Sequence, residues 1–392
     1  MSTWKEHKFS EIVEIIKDGY QPDGVTVLNY IGLDNIEQET LRLNSIGKST
    51  DVTSNKFKFK ANDVLFGKLR CYFRKVVKPD FDGICSTDIW VCRAKKGFNQ
   101  NFLFYFLANW DFVNTADSGE GGTRMPRADW EFLKNTVWNT PDLHTQTIIA
   151  FILSNLDDKI DLLHRQNKTL EQLAETLFKQ WFFEENKSEI IVPLNDYVNC
   201  INGVSYKSSE LNPSNTALVS LKSFNRYGGF NLDGFKDFTG RYKEQQIVLE
   251  GDLVVAHTDI TQEADVIGNP ALIISSPKHE TLVISMDMIK VVPKEDWISK
   301  EFLYFLMRSR EFKHHCLGCA NGTTVLHLSK IATPSFEFAK PEKEKVIAFT
   351  QQAKKLVNKI FINHKELYNL ISLRDTLLPK LMNGEIKVDM AE

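Results

Sequence analysis

The chain lacks the dense cysteines and the long apolar segments that mark two large classes of protein. Six of its 392 residues are cysteine, too few for the disulfide framework of a secreted scaffold, so a reducing compartment is the simpler interpretation. No apolar run approaches the ~18–20 residues of a membrane span. The N-terminal stretch has no apolar core of a signal peptide. We therefore expect a cytoplasmic protein that does not contact membranes.

Catalytic and cofactor motifs are also missing. The sequence contains no G-x-x-x-x-G-K-[ST] loop and no H-E-x-x-H. Asn212-Pro213 and Asn269-Pro270 are not followed by the Pro-aromatic pair of amino-methyltransferases, and Pro79-Asp80 is not followed by the acid-x-Lys of a common nuclease arrangement. No Ser/His/Asp or Cys/His set stands out by its spacing. These absences favour a binding protein over an enzyme, with no cofactor bound by this chain.

One C-x-x-C motif raises the question of a metal. Cys316 and Cys319 follow His314 and His315, and thiolates and imidazoles at such spacing can ligate zinc. A structural zinc site usually needs a second pair of ligands, and none lies nearby in the sequence. We favour two ordinary thiols and predict no metal site.

A long helix from Thr140 to Asn186 is the clearest feature of the sequence. Large aliphatic residues recur every seventh position over four heptads, which is typical of a coiled coil: Ile149, Leu156, Leu163, Leu170 and Leu177. Thr140-Pro141 reads as a helix start, with a capping hydroxyl followed by Pro at the first helical position. A second helical stretch opens at Pro341 and ends near Asn383-Gly384, a suitable stop. We interpret both helices as spacers.

The chain contains an internal repeat of two halves. Seven short matches occur in the same order at offsets between 188 and 200, as expected of a duplication with loop insertions. They are Ile31–Leu33 with Val219–Leu221, Asn62–Leu65 with Gly251–Val254, Thr87–Ile89 with Met286–Met288, Tyr105–Leu107 with Tyr304–Leu306, Gly122-Thr123 with Gly322-Thr323, Pro141 with Pro341, and Ile149–Phe151 with Ile347–Phe349. Short β-forming runs between Gly, Asn and Asp breakers precede each helix.

The repeat predicts an α+β fold with a pseudo-two-fold relation between its halves. We expect two β-rich domains at 1–139 and 188–339, separated by helices at 140–187 and 340–392. Asn167 and Asn363 interrupt the two apolar stripes at equivalent places, and a buried Asn in a coiled-coil seam costs stability but fixes register. We predict that the helices pack antiparallel with these two residues near their midpoint.

Charge patterning points to a local anion-binding surface rather than to general polyanion binding, since the net charge is −3. The window Lys56–Lys78 holds eight cations and one acid, and interleaved aromatics suggest strands with one core face and one basic face that could neutralise phosphates. The cations of the window that we select for DNA contact are Lys68, Arg70 and Arg74. A solvated strand edge guarded by Lys explains the window equally well.

Two equivalent loops carry further candidates. Gly119–Arg127 is rich in Gly and offers Thr123, Arg124 and Arg127 for phosphates or for guanine. Its counterpart, Ala320–His327, offers different polar residues, as two modules for different sequences would. The candidates of the second half are Asn225, Arg226, Tyr227, His257, Thr258, Asn321, Thr323, Thr324 and His327. Two tight turns and ordinary loop residues are the alternative.

At this point the chain resembles the specificity subunit of Type I restriction-modification systems. Leu170–Phe183 is similar to the central repeat of that family and Leu367–Ile386 to its C-terminal repeat. Trp4, Phe9-Ser-Glu-Ile12 and the Gly-Thr pair near the end of each β-rich half also fit. The resemblance covers essentially the whole chain, and its helical motifs are the specific part.

The resemblance implies a non-catalytic subunit that recognises double-stranded DNA. Each β-rich half would read one half of an asymmetric, bipartite site, and the helices would set the spacing. The helices would also dock two methyltransferase subunits, with restriction and translocase subunits completing the complex. S-adenosylmethionine, ATP and Mg²⁺ would belong to those partners. We assign docking to Leu156, Leu163, Leu170, Leu177, Trp181, Phe182, Leu367, Leu370 and Leu377.

Two other interpretations remain open. One is the specificity subunit of a different restriction-modification type. The other is a structural coiled-coil adaptor without a DNA role. The second half carries 15 Lys and Arg against 17 Asp and Glu over residues 190–340, which leaves its own affinity for DNA in doubt.

Overall fold

The structure, a computed structural model, describes residues 4–119, 126–185, 188–224, 229–261 and 263–388. The chain divides into two compact units. Unit 1 contains Met1–Leu162 with Leu367–Glu392, and unit 2 contains Leu163–Glu366. Each long helix is therefore shared between the units. The four ranges assigned from the sequence, which separate domains from helices, stay a prediction.

The helices of the described residues include two that far exceed the others in length. In chain order they are α1 (Phe9–Ile12), α2 (Gln100–Ala108), α3 (Trp110–Ser118), α4 (Trp130–Leu133), α5 (Leu143–Lys179), α6 (Lys300–Met307), α7 (Arg310–Cys319) and α8 (Lys343–Met382). Within the described ranges, no helix combines the length and apolar character needed to cross a bilayer.

The ends of the long helices differ in part from the prediction. Thr140 and Pro141 lie in a strand, and α5 begins after them, so the predicted Thr-Pro start is wrong. Asp142 is the cap instead: its Oδ1 accepts a hydrogen bond from the Thr145 backbone N at 3.0 Å, as Asp does at helix starts. A π-helical turn at Gln180–Glu184 follows α5. The predicted stop of α8 is confirmed, since Gly384 has a φ of +78°.

Unit 1 contains two sheets and a separate strand pair. Its strands are β1 (Trp4–Lys8), β2 (Val13–Ile16), β3 (Gly19–Tyr20), β4 (Asn29–Ile31), β5 (Gly47–Lys48), β6 (Lys56–Phe59), β7 (Val64–Gly67), β8 (Val76–Val77), β9 (Gly83–Ser86), β10 (Ile89–Ala94) and β11 (Val137–Pro141). The sheets have the orders β2-β10-β7-β8 and β3-β6-β9-β4-β5, and β1 pairs with β11. Only β4 and β9 of these described strands pair in parallel.

Unit 2 repeats this topology. Its strands are β12 (Ile191–Pro193), β13 (Val198–Asn202), β14 (Thr216–Val219), β15 (Phe235–Asp237), β16 (Ile247–Val248), β17 (Leu253–Ala256), β18 (Thr258–Asp259), β19 (Pro270–Leu272), β20 (Thr281–Ile284), β21 (Met288–Pro293), β22 (Ala320–Asn321), β23 (Leu326–Leu328) and β24 (Glu337–Ala339). The order β13-β21-β17-β19 matches β2-β10-β7-β8, and β12 pairs with β24. The parallel pair recurs as β14 and β20. The predicted internal repeat is confirmed at the level of topology.

One of the seven sequence matches does not hold in the structure. Ile149 is buried and Phe151 is 62% exposed, whereas Ile347 is 40% exposed and Phe349 is buried. The two triplets therefore present opposite faces of their helices. Identical letters on a helix do not ensure identical environment, because a shift of one residue rotates a side chain by about 100°.

Each core joins the sheets and short helices of its unit to segments of both long helices. In unit 1, buried aromatics of α2 and α3 pack with Ile149 and Leu153 of α5 and with Leu378 and Leu381 of α8. In unit 2, Phe178 of α5 lies 5.5 Å from Phe302 of α6 and 5.3 Å from Phe349 of α8, centroid to centroid. Large apolar side chains thus fix each module on the helices.

The two helices run antiparallel within unit 2, as predicted. Asn363 Nδ2 donates to Asn167 Oδ1 at 2.8 Å, and farther along α5 Phe178 contacts the earlier residue Phe349 of α8. Asn363 is fully buried. Asn167 Nδ2 and Asn363 Oδ1 are buried without a hydrogen-bond partner in the part of the chain that the structure describes. The two side-chain amides therefore share one hydrogen bond and leave one donor and one acceptor unsatisfied, which lowers the stability of the fold.

Replacing both Asn167 and Asn363 by Leu is expected to raise the free energy of unfolding by about 1–2 kcal/mol, because apolar seam residues replace a half-satisfied amide pair. Each single replacement should instead lower it by about 1–3 kcal/mol, because the remaining amide loses its partner. Chemical and thermal unfolding of the three variants beside the native chain measures this. A double variant less stable than both single variants would contradict the buried seam.

Candidate nucleic-acid interface

The two groups of candidates in unit 1 come together in a short backbone bridge. Leu69 pairs antiparallel with Arg127. The Ala128 N donates to the Lys68 carbonyl oxygen at 2.8 Å, and the Arg70 N donates to the Pro126 carbonyl oxygen at 2.9 Å. The basic segment after β7 therefore lies beside the end of the Gly-rich loop. The sequence analysis could not predict this contact, because about sixty positions separate the two segments in the chain.

Asp88 organises this bridge and was missed by the sequence analysis. Its carbonyl oxygen accepts from the Lys68 N at 2.9 Å. Its carboxylate accepts from Arg127 Nε at 2.9 Å and from Arg127 Nη2 at 3.3 Å. These hydrogen bonds raise the pKa of Arg127, whereas partial burial lowers the pKa of Lys68. The Arg127 side chain remains 47% exposed, so it is held by Asp88 and still accessible to a ligand.

Unit 2 contains the same bridge. Thr258 of β18 pairs antiparallel with His327 of β23. The Leu328 N donates to the His257 carbonyl oxygen at 2.8 Å, and the His257 N donates to the Asp287 carbonyl oxygen at 2.8 Å. The three contacts match those of unit 1 one for one. Asp287 is therefore the equivalent of Asp88. Both residues lie in the matched triplets Thr87–Ile89 and Met286–Met288, so the internal repeat could have identified them from the sequence.

The exposed tip of this bridge in unit 2 is the hairpin of β22 and β23, in which Asn321 pairs with His327. Gly322 has a φ of +116°, and a Cβ there would lie 2.1 Å from the Val325 carbonyl oxygen. The turn therefore requires glycine. The predicted contacts of this loop are all exposed: Asn321, Thr323, Thr324 and His327. The hairpin presents an amide, two hydroxyls and an imidazole to solvent.

His257 and Thr258 are corrected by the structure. His257 is 6% exposed and Thr258 is 7% exposed. His257 Nε2 lies 2.8 Å from Thr333 Oγ1, and burial lowers the pKa of His257 to about 4, so its side chain is neutral near pH 7. Both residues support the bridge from inside and do not offer a surface for DNA.

Arg74 is also corrected. It is 2% exposed, and its Nε donates to the Ala108 carbonyl oxygen at 2.6 Å. Its guanidinium lies 5.2 Å from the centre of the Trp110 ring. A buried guanidinium with these partners stabilises the fold and cannot reach a phosphate.

The window Lys56–Lys78 does not form a single basic face. Lys56 is buried and its Nζ donates to Ser54, while the Lys75 Nζ donates to the Leu33 carbonyl oxygen. Several of the counted cations are thus engaged inside unit 1. Lys68 and Arg70, half-buried at the bridge, remain candidates for DNA contact together with Arg127.

Five predicted contacts lie outside the described residues: Thr123, Arg124, Asn225, Arg226 and Tyr227. The C-x-x-C motif lies in α7, where His315 Nε2 is 2.7 Å from the Ala332 carbonyl oxygen. Cys316 is buried and Cys319 is half-buried. The described residues contain no group of three or more side chains placed to hold a metal ion.

None of the residues assigned to partner docking belongs to the exposed class. Leu163, Phe182 and Leu367 are buried, and the rest of the assigned set is half-buried: Leu156, Leu170, Leu177, Trp181, Leu370 and Leu377. Leu177 and Trp181 pack against the core of unit 2, and Leu377 packs against the core of unit 1, so part of each side chain is already used inside the chain. The apolar side chains that the long helices expose are others: Phe151, Leu162, Leu173, Ile347, Ile362 and Leu373.

Comparison with known proteins agrees with this architecture. Residues 1–172 match the family described as Type I restriction modification DNA specificity domain. The chain is 24% identical to the HindI specificity subunit of Haemophilus influenzae, a Type I restriction enzyme subunit, over 98% of this chain and all of that one. It is 24% identical to the MjaVIII specificity subunit of Methanocaldococcus jannaschii, over 78% of this chain and 74% of that one.

A solved structure has the same fold. The crystal structure of a Type I restriction-modification S subunit from M. genitalium aligns with a TM-score of 0.58 at 16% identity, over 100% of this chain and 97% of that chain. The predicted resemblance to Type I specificity subunits is confirmed, and with it the α+β architecture with a repeat. The chain is thus similar over most of its length to specificity subunits of Type I restriction enzymes.

Proposed function

We propose that this chain is the DNA-recognition subunit of a Type I restriction-modification complex and that each unit reads one half of a bipartite site. The observation that carries the proposal is the duplicated bridge. Its backbone is the same in both units, but it presents Arg127 beside Lys68 and Arg70 in one and Asn321, Thr323 and His327 in the other. A conserved backbone frame with different polar side chains suits two readers of two different sequences.

Weak binding by each unit alone is consistent with the charge of unit 2 and with a bivalent mode. Two half-site readers on one scaffold gain effective concentration only where the spacing between the half-sites matches. The long antiparallel helices are suited to fix that spacing, because their length is set by a rise of about 1.5 Å per residue. The buried Asn167–Asn363 pair supports a single register of the two helices.

The docking of two methyltransferase subunits belongs to this proposal. We assign it to the exposed apolar residues of the long helices rather than to the seam. In unit 1 these include Phe151 and Leu373, and in unit 2 they include Leu173 and Ile362. Exposed apolar residues on a helix face are typical of surfaces that bury against a partner. Restriction and translocase subunits would join through the assembled complex, and S-adenosylmethionine, ATP and Mg²⁺ would be bound by the partners.

Expression of the chain with the methyltransferase encoded beside it, in a host without DNA methylation, tests the proposal. Methylation-sensitive sequencing should reveal one bipartite motif with a fixed spacer, absent when either protein is omitted. Gel shifts with random DNA provide a second readout, with and without the methyltransferase. Absence of any motif together with absence of DNA binding in the assembled complex would instead support a structural adaptor.

A further inference from the structure

The bridge of unit 2 ends in two exposed aliphatic residues. The ladder of β18 and β23 has Asp259 and Leu326 as its last pair, and Ile260 and Val325 are the next residues of the chain at that same end. Ile260 is 71% exposed and Val325 is 36% exposed. Removal of such side chains from water by a ligand is favourable, so this end of the bridge is suited to an apolar contact.

The segment that carries Ile260 is fixed from inside by a buried carboxylate. Asp259 is fully buried. It accepts hydrogen bonds from the backbone N of Thr261 at 2.7 Å, of Val266 at 2.6 Å and of Ile267 at 2.8 Å. The Asp259 side chain therefore ties the residues that follow β18 back to the end of that strand, and Ile260 is held at the surface between them.

Lys313 of α7 holds the far part of the same segment. Its Nζ lies 3.0 Å from the Ala264 carbonyl oxygen, 2.6 Å from the Ile267 carbonyl oxygen and 3.0 Å from Asn269 Oδ1. Two charged side chains thus brace one short stretch of backbone. Because the backbone around Ile260 is already ordered, less conformational freedom remains to be lost when a ligand covers this side chain.

Unit 1 differs from unit 2 at this point. Leu69 takes the place of Thr258 in the bridge, so Cys71 takes the place of Ile260. Cys71 is 1% exposed. The connection from β7 to β8 is also shorter than the connection from β17 to β19. The exposed aliphatic end therefore distinguishes the two units, as a determinant of only one half-site would.

The neighbouring side chains indicate what covers this apolar end. The hairpin of β22 and β23, which shares the bridge, presents an amide, two hydroxyls and an imidazole to solvent, and such groups hydrogen-bond to base edges. The apolar group that base pairs display in the major groove is the C5-methyl of thymine. We infer that Ile260 and Val325 contact a thymine methyl and so determine one T·A pair in the half-site read by unit 2. The inference rests on the proposed function.

Removal of a single methyl group from the DNA tests the inference, with the full chain assembled with its methyltransferase. Ile260→Ala and Val325→Ala should each relax the same position of the methylation motif, and this position should be a T·A pair. Uracil in place of that thymine should weaken binding by the native complex about 3- to 5-fold, the effect of one buried methyl group. The Ile260→Ala complex should bind both duplexes equally. Competition gel shifts at one fixed salt concentration measure these ratios.

Two further variants separate local from general effects. Leu249 is 69% exposed in the turn before β17, at the opposite end of that strand from the bridge, so Leu249→Ala should leave the motif and the preference for thymine over uracil unchanged. Lys313→Met keeps Ile260 but removes the ammonium that braces its segment, and should reduce that preference. Thermal unfolding of each variant shows whether its unit remains folded.

The contrary results are distinct. Equal binding of thymine and uracil duplexes by the native complex overturns the inference, and an aliphatic wedge inserted between base steps would give that result. A relaxed position at a G·C pair, or an unchanged motif for Ile260→Ala, also overturns it. Full retention of the preference in Lys313→Met contradicts the bracing of Ile260. Failure of the native chain to give any bipartite motif counts against the proposed function itself.

Discussion

Replacing Arg374 by Met is expected to lower the free energy of unfolding by about 2–4 kcal/mol, because it leaves a carboxylate without its cation in a desolvated site. Arg374 of α8 is only 2% exposed although it carries a charge. Its Nη1 binds Asp157 Oδ1 of α5 at 2.9 Å, and it also donates to the Thr40 carbonyl oxygen at 3.3 Å. Tyr105 of α2 donates to the other oxygen of Asp157 at 2.7 Å. Arg374 and its partner Asp157 thus link both long helices to α2 and to Thr40 within unit 1.

The pH dependence of this loss follows from Asp157. Burial already raises the pKa of Asp157 above its ordinary value, while Arg374 opposes that rise. Without Arg374 the pKa of Asp157 should rise further. A carboxyl that binds its proton more tightly in the folded state favours folding as the pH falls. The deficit of Arg374→Met relative to the native chain should therefore shrink between pH 7 and pH 5.

The control is the double variant Arg374→Met with Asp157→Leu, in which the buried carboxylate is removed together with its cation, while Asp375, the exposed second partner of Arg374, keeps Arg74 at 3.8 Å. It should be more stable than Arg374→Met alone, since a well-packed apolar pair often replaces a buried ion pair without loss. Urea unfolding at several pH values measures all three chains. A single variant within 0.5 kcal/mol of the native chain, or a double variant with the sum of both losses, would contradict the linkage.

Lengthening both long helices by one heptad is expected to abolish methylation at the native site and to shift the preferred spacer. Seven residues inserted after Leu162 and seven after Glu366 keep the seam in phase, since these points lie at the unit boundary in both helices. The added length is at most about 10.5 Å, or about three base pairs at 3.4 Å each. Three base pairs also turn the second half-site by about 100°, so methylation at the new spacer should be slower.

Two matched insertions control this experiment. A heptad inserted in α5 alone lengthens one helix without the other, so the apolar positions of the two helices no longer face each other. This variant should impair folding or assembly rather than change the spacer. Seven residues in the exposed loop at Asn212-Pro213 add chain length without changing the helices and should leave the motif unchanged. An unchanged spacer in the folded two-helix variant would contradict the role of the helices in spacing.

Unit 2 holds its module on α5 by a related but different set of polar contacts. Tyr304, which is equivalent to Tyr105 in the repeat, donates to Glu171 of α5. Here the cation is Arg308, which directly follows α6 and binds Glu171 Oε1 at 3.1 Å and also Glu175. In the sequence, only the Tyr-Phe-Leu match indicated that the two tyrosines are equivalent. Its partner acids lie on α5 at positions that no local pattern distinguishes.

The amino-acid pattern alone determined the long helices, their antiparallel asparagine pair and the repeat. These features depend on periodicity and on order along the chain, which the sequence displays directly. The start of α5 was misplaced because Thr-Pro suits the end of a strand as well as a helix cap, and pairing of β11 with β1 decided between them. Pairing with a strand that is distant in sequence can override the local conformational propensity of a segment.

Only the tertiary structure decided which polar residues face solvent. Arg74 and Arg127 are both arginines near the candidate loops, yet one is buried against Ala108 and the other is exposed beside Asp88. The sequence determined that each half ends in a long helix and carries a polar loop. The fold determined that Arg127 and His327 stand at the same point of the two units, because backbone hydrogen bonds between segments far apart in the chain set that position.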